Sequence, residues 1–146
     1  MSSLTDIEKR YLETLFEMDT GYVLDFSNQT FYEFIKSITG IDIHDIKYQI
    51  YGGSKAKKLR AFWQTESDIV NGRVLKNLLE RYKFNVDSGK AKFNQNIYAE
   101  CVKITNRLLG IKNTIDSKDE LLKIKFDLFI NVSSTNYLVS KLRKLS

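Results

Sequence analysis

The chain has 146 residues, which is the usual size of one domain. Hydrophobic residues make up 42% of it and aromatic residues 12%, so it can bury a core without disulfides or a metal ion. No run approaches the roughly 18 consecutive apolar residues of a membrane span. The first six residues lack the basic and apolar regions of a signal peptide, and the single cysteine fits a reducing compartment. The expected location is therefore the cytoplasm.

The net charge of +5 is unevenly distributed along the chain. Residues 1–46 contain three basic and nine acidic residues, residues 47–83 contain nine and three, and residues 84–146 contain eleven and six. No acidic residue lies between Asp45 and Glu66. This asymmetry indicates a surface for an anionic partner. The alternative is that the acidic and basic parts face each other or water.

The absence of proline, the strongest helix breaker, favours helices throughout the chain. Thr5 and Glu8 form a capping box that starts the first predicted helix. Its inward face is expected to comprise Ile7, Tyr11 and Leu15. Residues 18–21 end this helix, and the apolar residues 22–26 are predicted to form a short strand or a buried extended link.

The second predicted helix begins near residues 27–30, with a capping box of Thr30 and Glu33, and ends at Gly40. Its apolar stripe comprises Phe31, Phe34, Ile35 and Ile38. The isoleucines expected to anchor the next segment on the core are Ile41, Ile43 and Ile46. Ser54 is then the predicted N-cap of a third helix. The inward face of this third helix is predicted to comprise Ala56, Leu59, Phe62 and Trp63.

A fourth helix is predicted from Ser67 and Asp68, and the polar residues 83–92 after it are predicted to form a loop. Its inward residues are expected to be Val70, Val74, Leu78 and Tyr82. The fifth helix is expected to end at Gly110 and to bury Ile97, Cys101, Ile104 and Leu108. Helical spacing returns further on, after a capping box of Ser117 and Glu120, in Leu121, Ile124, Leu128, Leu138, Leu142 and Leu145.

These elements together predict an all-α fold, a single compact bundle-like array of about six helices. The one expected exception is the extended segment near residues 22–26. Residues 1–110 are expected to form the main helical module. Residues 111–146 are expected to form a C-terminal helical extension, which packs on that module or forms an interface.

Residues with catalytic or metal-binding chemistry are sparse in this chain. His44 is its only histidine and is interpreted as a surface turn residue, whereas Cys101 lies on an apolar helix face, where cysteine is usually core. Only the fold could bring these two together. No Cys/His pattern has zinc spacing, and the glycine patterns of nucleotide-binding loops are missing. We therefore expect no enzymatic activity, no bound metal and no cofactor.

The segment from residue 52 to residue 63 has the most unusual physical character. Its lysines fall in the first turn of a helix, where the unpaired N–H groups disfavour positive charge. A bound phosphate would reverse this effect, because glycines let the backbone approach it while amides and lysines bind it. The predicted anion or nucleic-acid site comprises Gly52, Gly53, Ser54, Lys55, Lys57, Lys58 and Arg60. The alternative is an exposed helix face, or lysines neutralised by acidic residues of the first segment.

Three motifs occur in order along the chain: GYVLDFSNxTF at residues 21–31, GIDI at residues 40–43 and GSKAKKLRAFW at residues 53–63. Together with residues 97–104, they resemble an N-terminal module of bacterial abortive-infection-like proteins, over about residues 4–109. In that family the module is commonly joined to a C-terminal helical domain of the HEPN ribonuclease type. The resemblance implies a phage-defence or self-versus-foreign sensing context. It carries over no catalytic residue, because the effector domain is not part of this sequence.

Two functions are compatible with these features. The first is a sensing or regulatory module of a phage-defence protein that binds nucleic acid mainly through phosphate contacts. The second is an adaptor that recruits or oligomerises a defence effector through an exposed hydrophobic patch. The aromatic residues whose exposure would indicate such a patch are Tyr22, Phe26, Tyr48, Tyr51 and Phe93. An enzyme with an unfamiliar site requires His44 or Cys101 to lie in a pocket beside carboxylates.

Overall fold

A computed structural model describes residues 1–111, and these residues form an all-α fold. The α-helices of this part are α1 (Asp6–Leu15), α2 (Asn28–Thr39), α3 (Lys55–Thr65), α4 (Asp68–Asp87) and α5 (Gln95–Leu108). Short 3₁₀ helices lie at Met18–Thr20 and Ile46–Tyr48, and no strand occurs within residues 1–111. The predicted fold class is confirmed, with five α-helices in the described part of the chain. The helical elements predicted from Ser117 onward lie outside it.

The helix starts follow the predicted capping chemistry in all but one case. The capping box of Thr5 and Glu8 forms, and Ser54 and Ser67 accept hydrogen bonds from the backbone N–H groups three residues on. For α2 the prediction is wrong, because the capping box joins Ser27 to Thr30 rather than Thr30 to Glu33. The Ser27 N–H donates to the Thr30 hydroxyl at 2.9 Å, so the helix begins one turn earlier.

The fourth helix is longer than its polar sequence suggests. The predicted loop at residues 83–92 is wrong over its first half, since α4 continues to Asp87. In this last turn Phe84 and Asp87 are exposed, Val86 is partly buried against the core, and Asn85 is buried. The chain then reverses at Gly89, whose φ of +82° is easily adopted only without a Cβ. The N–H groups of the two residues after Gly89 donate to the Asn85 carbonyl oxygen at 2.7 and 3.1 Å.

A single core lies between the helices, and most of the predicted inward residues form it. The buried members that the sequence predicted are Leu15, Phe31, Ile35, Ile43, Ala56, Leu59, Phe62, Trp63, Val74, Leu78, Tyr82, Cys101, Ile104 and Leu108. Two predicted inward residues are exposed instead, Ile7 at 61% and Ile46 at 82%. Leu12 and Leu15 supply the buried face of α1, and the Tyr48 ring fills the core beside Ile46.

The link at residues 22–26 is partly buried and irregular rather than a strand. Val23 and Phe26 are buried, and the Leu24 N–H donates to the Phe16 carbonyl at 2.9 Å. Asp25 attaches the link to α4, because its Oδ1 accepts from Arg81 Nε at 3.0 Å and from Asn85 Nδ2 at 3.2 Å. These contacts hold the link, which leads directly into α2, against α4. No helix within residues 1–111 combines the length and apolarity needed to cross a membrane.

The attachment of the link depends on the ionised form of Asp25. Burial tends to raise the pKa of this carboxyl, but hydrogen bonds from Arg81 and Asn85 and the Arg81 charge hold the pKa below its ordinary 3.8. The ionised Asp25 side chain therefore stabilises the folded protein at pH values above 3.8. This stabilisation is lost as the pH falls through the pKa that Asp25 has in the folded state, which lies below 3.8.

We expect Asp25→Asn to lower the free energy of unfolding at neutral pH, and the difference from wild type to shrink as the pH falls below 3.8. Urea denaturation of both proteins across an acidic pH series measures this difference. A difference that persists unchanged or grows in that range would contradict the role given to the Asp25 charge.

Helices α4 and α5 approach closely at Gly72. A Cβ at this position would lie 2.7 Å from Leu109 Cδ2 and 3.3 Å from the Leu109 backbone nitrogen. Any larger residue must therefore displace the C-terminal end of α5.

Gly72→Ala should lower the free energy of unfolding by about 1 kcal/mol. Overpacking costs about 1–3 kcal/mol, and the better helix propensity of alanine offsets about 0.5–1 kcal/mol of it. Gly53→Ala is the matched control, since no atom lies within 4 Å of a Cβ there. Chemical denaturation compares the two, and a Gly72→Ala protein as stable as the control would refute the close approach.

Candidate anion-binding site

The turn of Gly52 and Gly53 leads into the capped start of α3. Ser54 Oγ accepts from the Lys57 N–H at 3.1 Å, and the Gly21 carbonyl accepts from the Ala56 N–H at 3.1 Å. Two amides at this helix start are therefore bonded within the chain, rather than available to a ligand as the sequence suggested. In the structure, residues 52–54 serve as turn and cap.

The three lysines at the start of α3 have different environments. Lys55 and Lys58 are each only 8% exposed, whereas Lys57 is exposed and lies beside Gly52. The interpretation of all three as an exposed helix face is therefore wrong for Lys55 and Lys58. Their spacing of three residues places them on the same side of the helix.

Both buried lysines contact polar groups from other parts of the chain. Lys58 Nζ lies 2.8 Å from His44 Nδ1, and His44 Nε2 lies 3.0 Å from the Asn28 carbonyl oxygen. Lys55 Nζ donates to Asn28 Oδ1 at 3.4 Å. These contacts connect Asn28, His44, Lys55 and Lys58, which we name the lysine–histidine cluster.

The contacts of the His44 ring indicate which of its two nitrogens carries the hydrogen. An ammonium group can only donate, so His44 Nδ1 accepts from Lys58. The other ring nitrogen then carries the hydrogen and donates it to the Asn28 carbonyl. In this arrangement the imidazole is neutral, and the positive charges of the cluster belong to the two lysines.

Two tyrosines border the cluster. The Tyr22 ring centroid lies 4.9 Å from Lys55 Nζ, and Tyr22 itself is 57% exposed. The Tyr32 ring stacks on the His44 ring, with centroids 5.9 Å apart and planes 14° apart. Aromatic rings therefore adjoin two members of the cluster, Lys55 and His44.

No carboxylate among residues 1–111 pairs with either buried lysine. The ion pairs of this part are Glu13–Arg60, Asp25–Arg81, Glu100–Lys103 and Glu8–Arg107. Lysine is rarely buried without a counter-charge, because removing an ammonium group from water is costly. Two positive charges are therefore held at the start of α3 by neutral partners, which favours binding of an anion.

The fourth predicted basic residue lies apart from the cluster. Arg60 Nε donates to Glu13 Oε1 at 3.3 Å, and Arg60 Nη2 donates to the Met18 carbonyl at 3.4 Å. An acidic residue of the first segment thus neutralises Arg60, whereas the alternative interpretation had assigned such a partner to the lysines. Lys55 and Lys58 have no such partner within the described chain.

The structure does not bring His44 and Cys101 together. The His44 ring contacts α2 and α3, whereas Cys101 is fully buried on α5. Burial, reinforced by the nearby Glu100 charge, raises the pKa of the Cys101 thiol to about 12, so it stays protonated at neutral pH. Among residues 1–111, no three His, Cys, Asp or Glu side chains are grouped as metal ligands.

The sequence did not predict that Asn28 and His44, the two members of the cluster other than the lysines, belong to the site. Asn28 and His44 are far from α3 in the sequence, so only the fold brings them to the lysines. A signal for the lysines themselves was present: residues 55, 58, 59 and 62 follow the spacing of one helix face. Since Leu59 and Phe62 were predicted to point inward, Lys55 and Lys58 belonged to the same side.

No family model, no curated protein and no solved structure matches this chain. The function of the cluster is therefore interpreted from its own residues and contacts.

If the lysine–histidine cluster binds an anion, removal of one lysine charge from the cluster should not destabilise the ligand-free protein. Lys58→Met keeps the apolar stem but removes the ammonium group, so the free energy of unfolding should stay unchanged or rise by up to about 1 kcal/mol. The exposed Lys57→Met is the matched control, with a change within about 0.5 kcal/mol. Chemical denaturation in a buffer without multivalent anions measures both. A loss above about 1 kcal/mol for Lys58→Met would show that the fold itself satisfies this charge.

Proposed function

We propose that this chain is a non-catalytic sensing or regulatory module of a bacterial phage-defence protein, and that it binds nucleic acid in the cytoplasm, mainly through phosphate groups. The observation that carries this proposal is the burial of Lys55 and Lys58 without a carboxylate partner in the described chain. The phage-defence setting is supported by the ordered motifs at residues 21–31, 40–43 and 53–63.

The surroundings of the cluster favour nucleic acid over other anions. Residues 47–83 carry nine basic and three acidic residues, so the positive charge extends beyond the two buried lysines. Tyr22 offers an exposed ring next to Lys55. Positive charge with adjacent aromatic rings is the usual combination in sites that track a nucleic-acid backbone and stack its bases.

Binding of this kind has a characteristic dependence on salt and sequence. Lysine contacts to phosphates release counterions, so the affinity falls as the salt concentration rises. The same contacts read the backbone and not the bases, so sequence preference should be weak. Both properties can be measured without knowledge of the natural ligand.

Fluorescence anisotropy with labelled single- and double-stranded DNA and RNA across a salt series tests the proposal. Wild type should bind with an affinity that falls steeply with salt, and Lys55→Gln/Lys58→Gln should weaken binding at least tenfold. On a single strand, the slope of log affinity against log salt should become shallower by about 1.4, or about 0.7 for each lost phosphate contact.

The matched control is Lys36→Gln/Lys76→Gln, which removes the same charge from two exposed lysines on α2 and α4. It should retain most of the affinity. Equal losses in both double variants would show that binding follows net charge and not the cluster. An absence of binding by wild type at low salt would refute the proposal.

The second candidate function is an adaptor that recruits or oligomerises a defence effector. Of the five aromatic residues that would indicate a hydrophobic patch, Phe26 and Tyr48 are buried, whereas Tyr22, Tyr51 and Phe93 are exposed. Ile46 and Ile50 are also exposed, in the same six-residue segment as Tyr51. Exposed apolar side chains that form a patch are typical of protein-interaction surfaces. Self-association that persists at high salt, in a protein that fails to bind nucleic acid, would favour the adaptor.

A further inference from the structure

The charge of the lysine–histidine cluster indicates which kind of phosphate it would take. Lys55 and Lys58 contribute two positive charges, while Asn28 and His44 are neutral. A phosphodiester within a strand carries one negative charge. A phosphomonoester carries about 1.5 to 2 negative charges at neutral pH, so only the monoester balances both lysines.

The burial of the two lysines also favours a terminal phosphomonoester over an internal phosphodiester. Each lysine is 92% buried, so a ligand reaches the ammonium groups only with a part that projects from its body. An internal phosphate is flanked by sugars on both sides, which limits how deeply it can enter. A terminal phosphate has one such neighbour and three free oxygens, enough to accept from both lysines at once.

The exposed tyrosine supplies a place for the rest of the ligand. The Tyr22 ring lies beside Lys55, so a nucleoside attached to the bound phosphate would adjoin this ring. Stacking of a base on an aromatic ring is tolerant of sequence and adds affinity. The cluster and Tyr22 together therefore resemble a site for one terminal nucleotide.

We propose that the lysine–histidine cluster binds the terminal phosphomonoester of a nucleic-acid strand, and that the terminal base stacks on Tyr22. This inference rests on the proposed function and makes it more specific: the module recognises strand ends. A free mononucleotide carries the same phosphomonoester, so the test separates the two sources.

The full chain is titrated with one short oligonucleotide prepared with a 5′-phosphate, with a 3′-phosphate, or with hydroxyl groups at both ends. One of the phosphorylated forms should bind at least tenfold more tightly than the hydroxyl form. Lys55→Gln and Lys58→Gln should each abolish this difference, whereas Lys57→Gln should retain it. Tyr22→Leu should weaken oligonucleotide binding severalfold while leaving competition by inorganic phosphate unchanged.

Titration of the wild-type protein with the three oligonucleotides and with a nucleoside monophosphate distinguishes failure of the end-specific inference from failure of the proposed function. If all three oligonucleotides bind equally and with the same salt dependence, the end-specific inference is overturned while nucleic-acid binding stands. If none binds but a nucleoside monophosphate does, the cluster takes a phosphomonoester, but both the strand-end inference and the proposed nucleic-acid function are overturned. If neither the oligonucleotides nor the nucleoside monophosphate binds, both proposals are overturned.

Discussion

The arrangement of the described chain depends on the backbone hydrogen bond from Ala56 to Gly21. It joins the residue just before the link at residues 22–26 to the first turn of α3. Gly21 can take part because its φ of +89° suits glycine, and a Cβ there would already touch Ser54 at 3.4 Å. Since the link leads directly into α2, this contact places the starts of α2 and α3 side by side. Asn28 thereby comes within reach of Lys55.

This juxtaposition explains why the cluster is polar and yet receives no carboxylate from residues 1–111. Arg60 and Arg81 each meet a carboxylate, and so does Arg107. The start of α2 contributes to the cluster only neutral groups, the side chain and carbonyl of Asn28. An ammonium group held by such partners has its hydrogen bonds without a balancing charge. The anionic ligand that we propose would supply this balancing charge.

Local signals in the sequence predicted the helices well where a single physical rule decides the outcome. Capping boxes and hydroxyl caps depend on groups three residues apart, so Thr5, Ser54 and Ser67 could be identified without the fold. The errors lie where two rules compete. Ser27 and Thr30 both suit a helix start, and the polar end of α4 has the composition of a loop although it is helical. Ile46 is apolar, but the neighbouring Tyr48 takes the core position.

The amino-acid sequence by itself determined the all-α class, the inward stripe of α3 and the concentration of positive charge at residues 47–83, because these follow from spacing and composition along one segment. Only the tertiary structure decided which of those charges are neutralised. Arg60 turns to Glu13, Lys57 remains in solvent, and Lys55 and Lys58 are buried against Asn28 and His44. The physical reason is that counter-charges and hydrogen-bond partners come from distant segments, whose approach depends on how the whole core packs.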